Sequence, residues 1–152
     1  MPGLIFLVGF LVVATSDAVI QRQSAKNQAQ PKQTAIVRVT TYYQQEGGRL
    51  AAYNGIRLRE GHCAVDPHKI PYGSRIRLGN EELVAVDTGP AVVSRKAARL
   101  SGHNPVERNA VVVDRFFESR AQAKAWEKSH PHFLVAQILP PPSAGKPNDP
   151  KS

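Results

Sequence analysis

Residues 83–89 read Leu-Val-Ala-Val-Asp-Thr-Gly, and residues 111–114 read Val-Val-Val-Asp. Both stretches are short apolar runs that end in an aspartate, and short runs rich in β-branched residues favour β-strands. Residues 64–67, Ala-Val-Asp-Pro, repeat this form. The chain therefore places three aspartates at or near the ends of predicted strands. An ionised carboxylate in such a position is costly unless it is hydrogen-bonded or paired, so these acids are the first candidates for a functional site.

The remainder of the middle of the chain is also typical of β-structure. Further strands are predicted over residues 36–43, 75–78 and 133–139, from their β-branched content or from alternation of polar and apolar residues. Helical patterns are limited to residues 94–100 and 119–128, the second preceded by a serine suited to an N-cap. Several short strands with long connections and one or two short helices predict a mainly β protein, a compact barrel or sandwich.

Composition restricts the class of protein. The chain has 152 residues, of which 41% are hydrophobic and 21% charged, a balance typical of one globular domain. A single cysteine excludes a disulfide scaffold and a zinc site built from several cysteines. The net charge of +8 favours a polyanionic partner. For a secreted chain we expect that partner to be an anionic wall polymer and not nucleic acid.

The two ends of the chain differ from its middle. Residues 4–14 are apolar, too short to cross a bilayer comfortably, and of the length of a secretory signal. We therefore expect a secreted, periplasmic or cell-envelope protein. The predicted divisions are a signal peptide or uncleaved anchor at 1–18, a flexible linker at 19–34, the folded domain at 35–139, and a disordered proline-rich tail at 140–152.

The three aspartates, Asp66, Asp87 and Asp114, suggest acid catalysis if their strand ends converge. Like charges in one site raise the pKa of at least one carboxyl group. A carboxyl that stays protonated near neutral pH is what general-acid cleavage of a glycosidic bond requires. The alternative is that each aspartate caps the turn after its strand, most of all Asp66, which precedes a proline.

The order of these motifs resembles that of the 3D domain, a family named for three aspartates. The resemblance rests on three motifs, which are Cys-Ala-Val-Asp-Pro with Ile-Pro-Tyr-Gly-Ser at 63–74, Val-Asp-Thr-Gly at 86–89 and Val-Asp-Arg-Phe-Phe at 113–117. The resemblance covers nearly all of residues 37–139. It implies a six-stranded double-psi β-barrel with one or two short helices, related to membrane-bound lytic transglycosylase A. The interval between the second and third aspartates is longer than is usual in that family.

The resemblance also implies an activity. It predicts cleavage of the β-1,4 bond between N-acetylmuramic acid and N-acetylglucosamine in peptidoglycan, with a 1,6-anhydro product. Asp114 is then the catalytic acid/base and Asp87 its catalytic support, and the substrate-binding residues are Asp66, Tyr42, Thr41, Thr88 and Gly89. No cofactor or metal is needed. The expected partner is a glycan strand, bound by a monomer that touches membrane only through an uncleaved N-terminal segment.

Four other interpretations stay open at this point. A barrel of this kind can bind wall glycans without cutting them, as expansin-like domains do. Asp-Thr-Gly at 87–89 is also an aspartic-protease motif, which in so short a chain requires a homodimer. Three carboxylates can hold a hard cation. Cys63 and His62 suggest a nucleophile and base, although neighbouring residues on a strand point to opposite faces.

Overall fold

The computed structural model describes residues 32–47 and 50–142. Its strands are β1 (Gln33–Tyr43), β2 (His62–Ala64), β3 (Arg75–Leu78), β4 (Glu81–Asp87), β5 (Val111–Phe117) and β6 (Phe133–Leu139). They close into a barrel in the order β1-β5-β2-β4-β3-β6. The predicted signal peptide or anchor at 1–18, and most of the predicted linker and tail, lie outside the described residues.

Strand direction in the barrel has an internal two-fold pattern. β1 pairs with β5 and β2 pairs with β4 in parallel, and the remaining neighbours are antiparallel. Exchanging the first three strands for the last three maps the strand order onto itself and each parallel pair onto the other. This is the topology expected of a double-psi barrel. The predicted mainly β, six-stranded barrel is confirmed, and closure leaves no strand edge of this sheet unpaired.

The predicted strands are found, with longer bounds for several of them. β3 and β6 have the predicted limits, whereas β1 begins at Gln33 and β5 continues to Phe117. β2 is a three-residue strand in which every side chain is buried. Such a strand shows no alternation of polar and apolar residues, so periodicity cannot define it.

Short helices fill the connections: α1 (Gln44–Gly47), α2 (Pro90–Ser94), α3 (Lys96–Ser101), α4 (Pro105–Arg108) and α5 (Arg120–Ser129). The Ser119 hydroxyl caps α5 by accepting from the Gln122 N–H. The single helix predicted over 94–100 is instead two, because the chain turns at Arg95 with a left-handed φ of 53°. No helix in the described part of the chain is long and apolar enough to cross a membrane.

Apolar residues pack on both sides of the barrel wall. The inner cluster draws at least one side chain from every strand: Val37, Cys63, Ile76, Leu83, Val113 and Ala136. The outer cluster includes Tyr42, Val86, Val112 and Phe116 and is covered by α2, α3 and residues 50–58. Because strand residues alternate between faces, Asp114 lies on the outer face, between Val112 and Phe116. A site that uses Asp114 therefore forms on the outer face, beside the segments that cover it.

Burial of Cys63 yields a test of the barrel interior. The side chain is 0% exposed, and burial raises the pKa of its thiol. We expect the native protein to react with a thiol reagent at pH 8 roughly 100-fold or more slowly than the protein in denaturant, because reaction requires the barrel to open. The chain has one cysteine, so the signal has a single source. Rapid reaction of the native protein would contradict this packing.

Candidate functional site

An open cleft of about 440 Å³ lies on the outer face, beside α2. It brings together most of the residues that the sequence selected as catalytic or substrate-binding. Those lining the cleft are Thr41, Tyr42, Asp87, Thr88, Gly89 and Asp114. The predicted residue that does not line it is Asp66. Two of the three aspartates therefore converge on one cleft.

A β-bulge in β4 aims Asp87 into this cleft. Cys63 pairs with Ala85 but Ala64 pairs with Asp87, so Val86 is an extra residue opposite β2. Without it, Asp87 would follow the alternation of Ala85 and face the barrel interior. Bulges re-aim side chains in this way and are frequent beside functional sites. The bulge therefore moves a carboxylate from the core side of the wall to the cleft side.

Ala64 stands between the two carboxylates. It pairs with Asp87 on one side and with Asp114 on the other. Neighbouring strands lie about 4.8 Å apart, so the Cα atoms of the two aspartates are about 10 Å apart across this residue. Its methyl group is small enough to leave the space between the two carboxyl groups open. A larger side chain here would fill the centre of the cleft.

Asp87 is held by hydrogen bonds to both of its carboxylate oxygens. The Tyr42 hydroxyl donates to Oδ2 (3.0 Å) and the Ala52 N–H donates to Oδ1 (2.9 Å), while the side chain is buried. The backbone carbonyl of Asp87 accepts from the Val65 N–H (2.9 Å). Burial and the nearby charge of Asp87 raise the pKa of Tyr42, so its hydroxyl stays protonated and remains a donor. Both carboxylate oxygens thus have fixed directions.

Asp114 is half-buried and more exposed than Asp87. The Thr40 hydroxyl donates to Asp114 Oδ1 at 2.7 Å, across the parallel pair of β1 and β5. Of the two acids, Asp114 thus presents more surface to a molecule in the cleft. One oriented and one accessible carboxyl group in the same cleft can carry out acid/base chemistry.

A scan against models of known protein families finds no match to this chain, and no curated protein matches its sequence. The resemblance to the 3D domain therefore stays a prediction.

Asp66 is occupied in a turn. Its carboxylate accepts from the His68 N–H (3.0 Å) and lies 3.2 Å from Nδ1 of the same residue. Its carbonyl accepts from the Lys69 and Ile70 N–H groups, each at 2.9 Å. These contacts are those of an aspartate that caps the turn after its strand, the alternative raised for Asp66 because Pro67 follows it. The structure thus gives Asp66 a role in the loop between β2 and β3.

Tyr42, which was predicted to bind substrate, does not offer an aromatic face on which a sugar could stack. The ring packs edge-on against Phe116, with centroids 5.4 Å apart, and the residue is 8% exposed. A sugar stacks on an open aromatic face, which this packing does not offer. Tyr42 instead acts through its hydroxyl, as the donor that orients Asp87.

The two threonines of the predicted site also differ in what they contact. The Thr41 hydroxyl donates to Glu127 Oε1 at 2.6 Å, which links the cleft to α5. The Thr88 hydroxyl is buried and has no hydrogen-bond partner among the residues that the structure describes. Buried polar atoms are nearly always bonded, and an unbonded one costs free energy. A polar group of a ligand at Thr88 would recover that cost.

Sequence reasoning missed Thr40 and Ala52. Thr40 has a signal that could have found it, because it lies two residues before Tyr42 on the same strand face. Ala52 acts through its backbone N–H, which no side-chain pattern reports. It lies in the segment that crosses the outer cluster, where Ala51 and Leu58 are buried.

The geometry of the described residues bears on two of the alternative chemistries. Among residues 32–47 and 50–142, no group of three His, Cys, Asp or Glu side chains could hold a metal ion. A dimeric protease pairs the single Asp-Thr-Gly aspartate of each chain with its copy. Here Asp114 of the same chain shares the cleft with Asp87, so a second copy is not needed to form a carboxyl pair.

His62 and Cys63 do not act as a pair. The thiol of Cys63 donates to the Val84 carbonyl at 3.5 Å. The two ring nitrogens of His62 lie 3.3 Å from the backbone N–H and from Nε of Arg59. The side chains of Cys63 and His62 point to opposite faces of the strand, as those of adjacent strand residues do. His62 is therefore not placed to act as a base for the thiol.

Removal of the Tyr42 hydroxyl tests the anchoring of Asp87. We expect Tyr42→Phe to lower the free energy of unfolding by about 1–3 kcal/mol, because a buried hydrogen bond to a charged group is lost while the ring packing stays. Urea unfolding measures it, with Tyr72→Phe as the control outside the cleft. In a double-mutant cycle with Asp87→Asn the two losses should fall short of additivity. Simple additivity would show that the two groups do not interact.

His62 predicts a pH dependence of stability. Burial, and secondarily the charge of Arg59, lower the pKa of His62 in the folded protein. The unfolded chain therefore binds the proton more readily, so this contribution to stability is present above a pH of about 6.5 and is lost as the pH falls below it. We expect His62→Gln to flatten the fall in free energy of unfolding between pH 7.5 and pH 5, approximately, relative to wild type. His132→Gln is the control for replacing an exposed histidine, and parallel curves for all three proteins would refute the assignment.

Proposed function

We propose that the protein cleaves the glycan strands of peptidoglycan as a lytic transglycosylase. The observation that supports this most directly is the pair of carboxyl groups, Asp87 and Asp114, that share one open cleft across Ala64. Paired carboxyl groups are the machinery of glycosidic bond cleavage. The substrate class comes from the resemblance of the three motifs to the 3D domain, and the basic chain suits an anionic wall.

Asp114 is the acid/base of the proposed reaction. It enters protonated and gives its proton to the glycosidic oxygen, so the bond from muramyl C1 to that oxygen breaks and N-acetylglucosamine leaves with a free 4-hydroxyl. Asp114, now a carboxylate, takes the proton of the muramyl 6-hydroxyl. The 6-oxygen then bonds to C1 and closes the 1,6-anhydro ring. The carboxyl group is restored and no water is consumed, unlike the two-carboxylate hydrolytic schemes.

Asp87 supplies charge and does not exchange the proton. Positive charge develops at C1 as the bond breaks, and a carboxylate held in a fixed direction stabilises it without reorganisation. The Tyr42 hydroxyl and the Ala52 N–H fix that direction. Thr40 in turn orients Asp114. These donors are positioning residues, since they act through the two acids.

The proposed activity requires a location outside the cytoplasm. Wall glycan lies outside the cytoplasm, in agreement with the predicted signal segment and a secreted, periplasmic or envelope location. A monomer suffices, because one chain contributes both acids. The wall strand is the proposed partner, and no cofactor takes part in the steps above.

Digestion of purified peptidoglycan tests the proposal. We expect wild type to release anhydro-muropeptides, and Asp114→Asn to lose roughly 100- to 10,000-fold in rate, the contribution of a general acid. Glu60→Gln is the matched control, since Glu60 is exposed on the loop before β2, lies outside the cleft and should retain activity. Products with a reducing muramyl end would show hydrolysis instead.

A binding module without catalysis is the second candidate. The observation in its favour is the basic surface beside the cleft, where Lys96 and Arg99 are exposed on α3 and neither α2 nor α3 carries an acidic residue. Such a surface attracts anionic polymers and releases them at high salt. Salt-sensitive co-sedimentation with intact walls and no soluble product from either wild type or Asp114→Asn would establish this function and exclude the enzyme.

A further inference from the structure

A second groove, almost wholly apolar, continues from the cleft along α2 and α3. Its volume is about 510 Å³. We name its apolar lining the apolar shelf, which consists of Pro90, Ala91, Ala97, Leu100 and Val112. Lys96 lies at the same groove, and so does Thr40. The proposed reaction has given this surface no role so far.

The apolar shelf is continuous with the carboxyl pair. Pro90 and Ala91 line both the cleft and the shelf. Thr40, which borders the shelf, is the residue whose hydroxyl donates to Asp114. Thr40 therefore connects the edge of the shelf to the proposed acid/base through a single hydrogen bond. A molecule that places its reacting bond at Asp114 extends onto the shelf if it is longer than the cleft.

Exposure and charge indicate the chemistry of what the shelf binds. Leu100 is 76% exposed at the edge of this groove. A lone exposed leucine is ordinary, but one that borders an apolar groove beside an acid pair marks an interaction surface. Lys96 places a positive charge next to the aliphatic groups, and α2 and α3 contain no acidic residue to neutralise it. The complement is a chain with methyl groups and carboxylates.

We infer that the apolar shelf holds the stem-peptide part of the lactyl-peptide arm of the muramyl residue. This inference rests on the proposed function. The alanyl methyl groups of the stem peptide would lie against Leu100 and Ala97, and a carboxylate of the peptide would face Lys96, whereas the lactyl group, which an amidase leaves on the sugar, would stay at the cleft. The arm is what distinguishes muramic acid from N-acetylglucosamine, whose hydroxyl groups find few polar partners on the shelf. Binding of the arm would place the muramyl C1 at Asp114 and so select which of the two alternating bonds is cut.

Glycan strands with and without their stem peptides provide the test. Uncrosslinked strands are prepared either intact or stripped of peptide by an amidase. Binding is measured by titration in the Asp114→Asn background, which keeps the strands uncut, and initial rates are measured with an intact Asp114. We expect intact strands to bind about tenfold more tightly than stripped strands, the effect of burying a few methyl groups and one ion pair.

Substitutions in this groove should abolish the preference for intact strands over stripped strands. Leu100→Asp and Lys96→Ala are expected to bind intact strands as weakly as stripped ones, with affinity for stripped strands unchanged. Val135→Asp and Lys124→Ala are the matched controls, because these residues are exposed on β6 and α5, outside the groove. The controls should keep the preference of wild type.

Each of the other possible outcomes contradicts a specific part of the proposal. If wild type cuts intact and stripped strands equally well, the shelf does not hold the peptide arm, although the proposed function stands. If Leu100→Asp weakens both strands equally, the shelf binds the sugar and the inference is wrong. If wild type neither binds nor cuts either strand, the proposed function itself fails and takes the inference with it.

Discussion

The candidate site depends on one extra residue in β4. Val86 has no partner of its own on β2, and this bulge turns Asp87 from the barrel interior to the outer face. A regular ladder would place the carboxylate among the side chains of the inner cluster, where an ion is costly. Val86 itself is buried in the outer cluster. The irregularity is therefore stabilised by apolar packing, and the position of the carboxylate follows from it.

The outer cluster is what makes that position rigid. The segment that crosses it returns on itself through a bond from the Ala51 N–H to the Ile56 carbonyl (2.7 Å), and Tyr53 N–H bonds to the carbonyl of Val86 (2.9 Å). The Ala52 N–H is then directed at Asp87. A loop that covers apolar surface thereby supplies a backbone donor to the bulge. Apolar packing and the orientation of the acid are consequences of the same contact.

The sequence predicted the strands and selected the aspartates because both leave a local signal, whereas the convergence of two of these acids is seen only in the fold. An apolar run followed by Asp is visible at Asp87 and at Asp114 without any knowledge of the fold. The bulge is not visible, since a register shift depends on the partner strand and not on local composition. The donor at Ala52 is a backbone group, and the break at Arg95 requires a left-handed conformation that arginine rarely adopts. These features depend on pairing between distant strands or on backbone conformation, so local sequence patterns do not predict them.

Only two of the three aspartates in the motif share the cleft, and the third still bears on the site. Asp66 caps a turn whose first residues follow β2 directly. The residue before it, Val65, is buried in the inner cluster and donates its N–H to the carbonyl of Asp87. The capped turn fixes the course of the chain at Val65, and this bond fixes the backbone at the end of the bulged strand. A repeated apolar-then-Asp pattern therefore does not imply three equivalent acids, because Asp66 holds the backbone that presents Asp87.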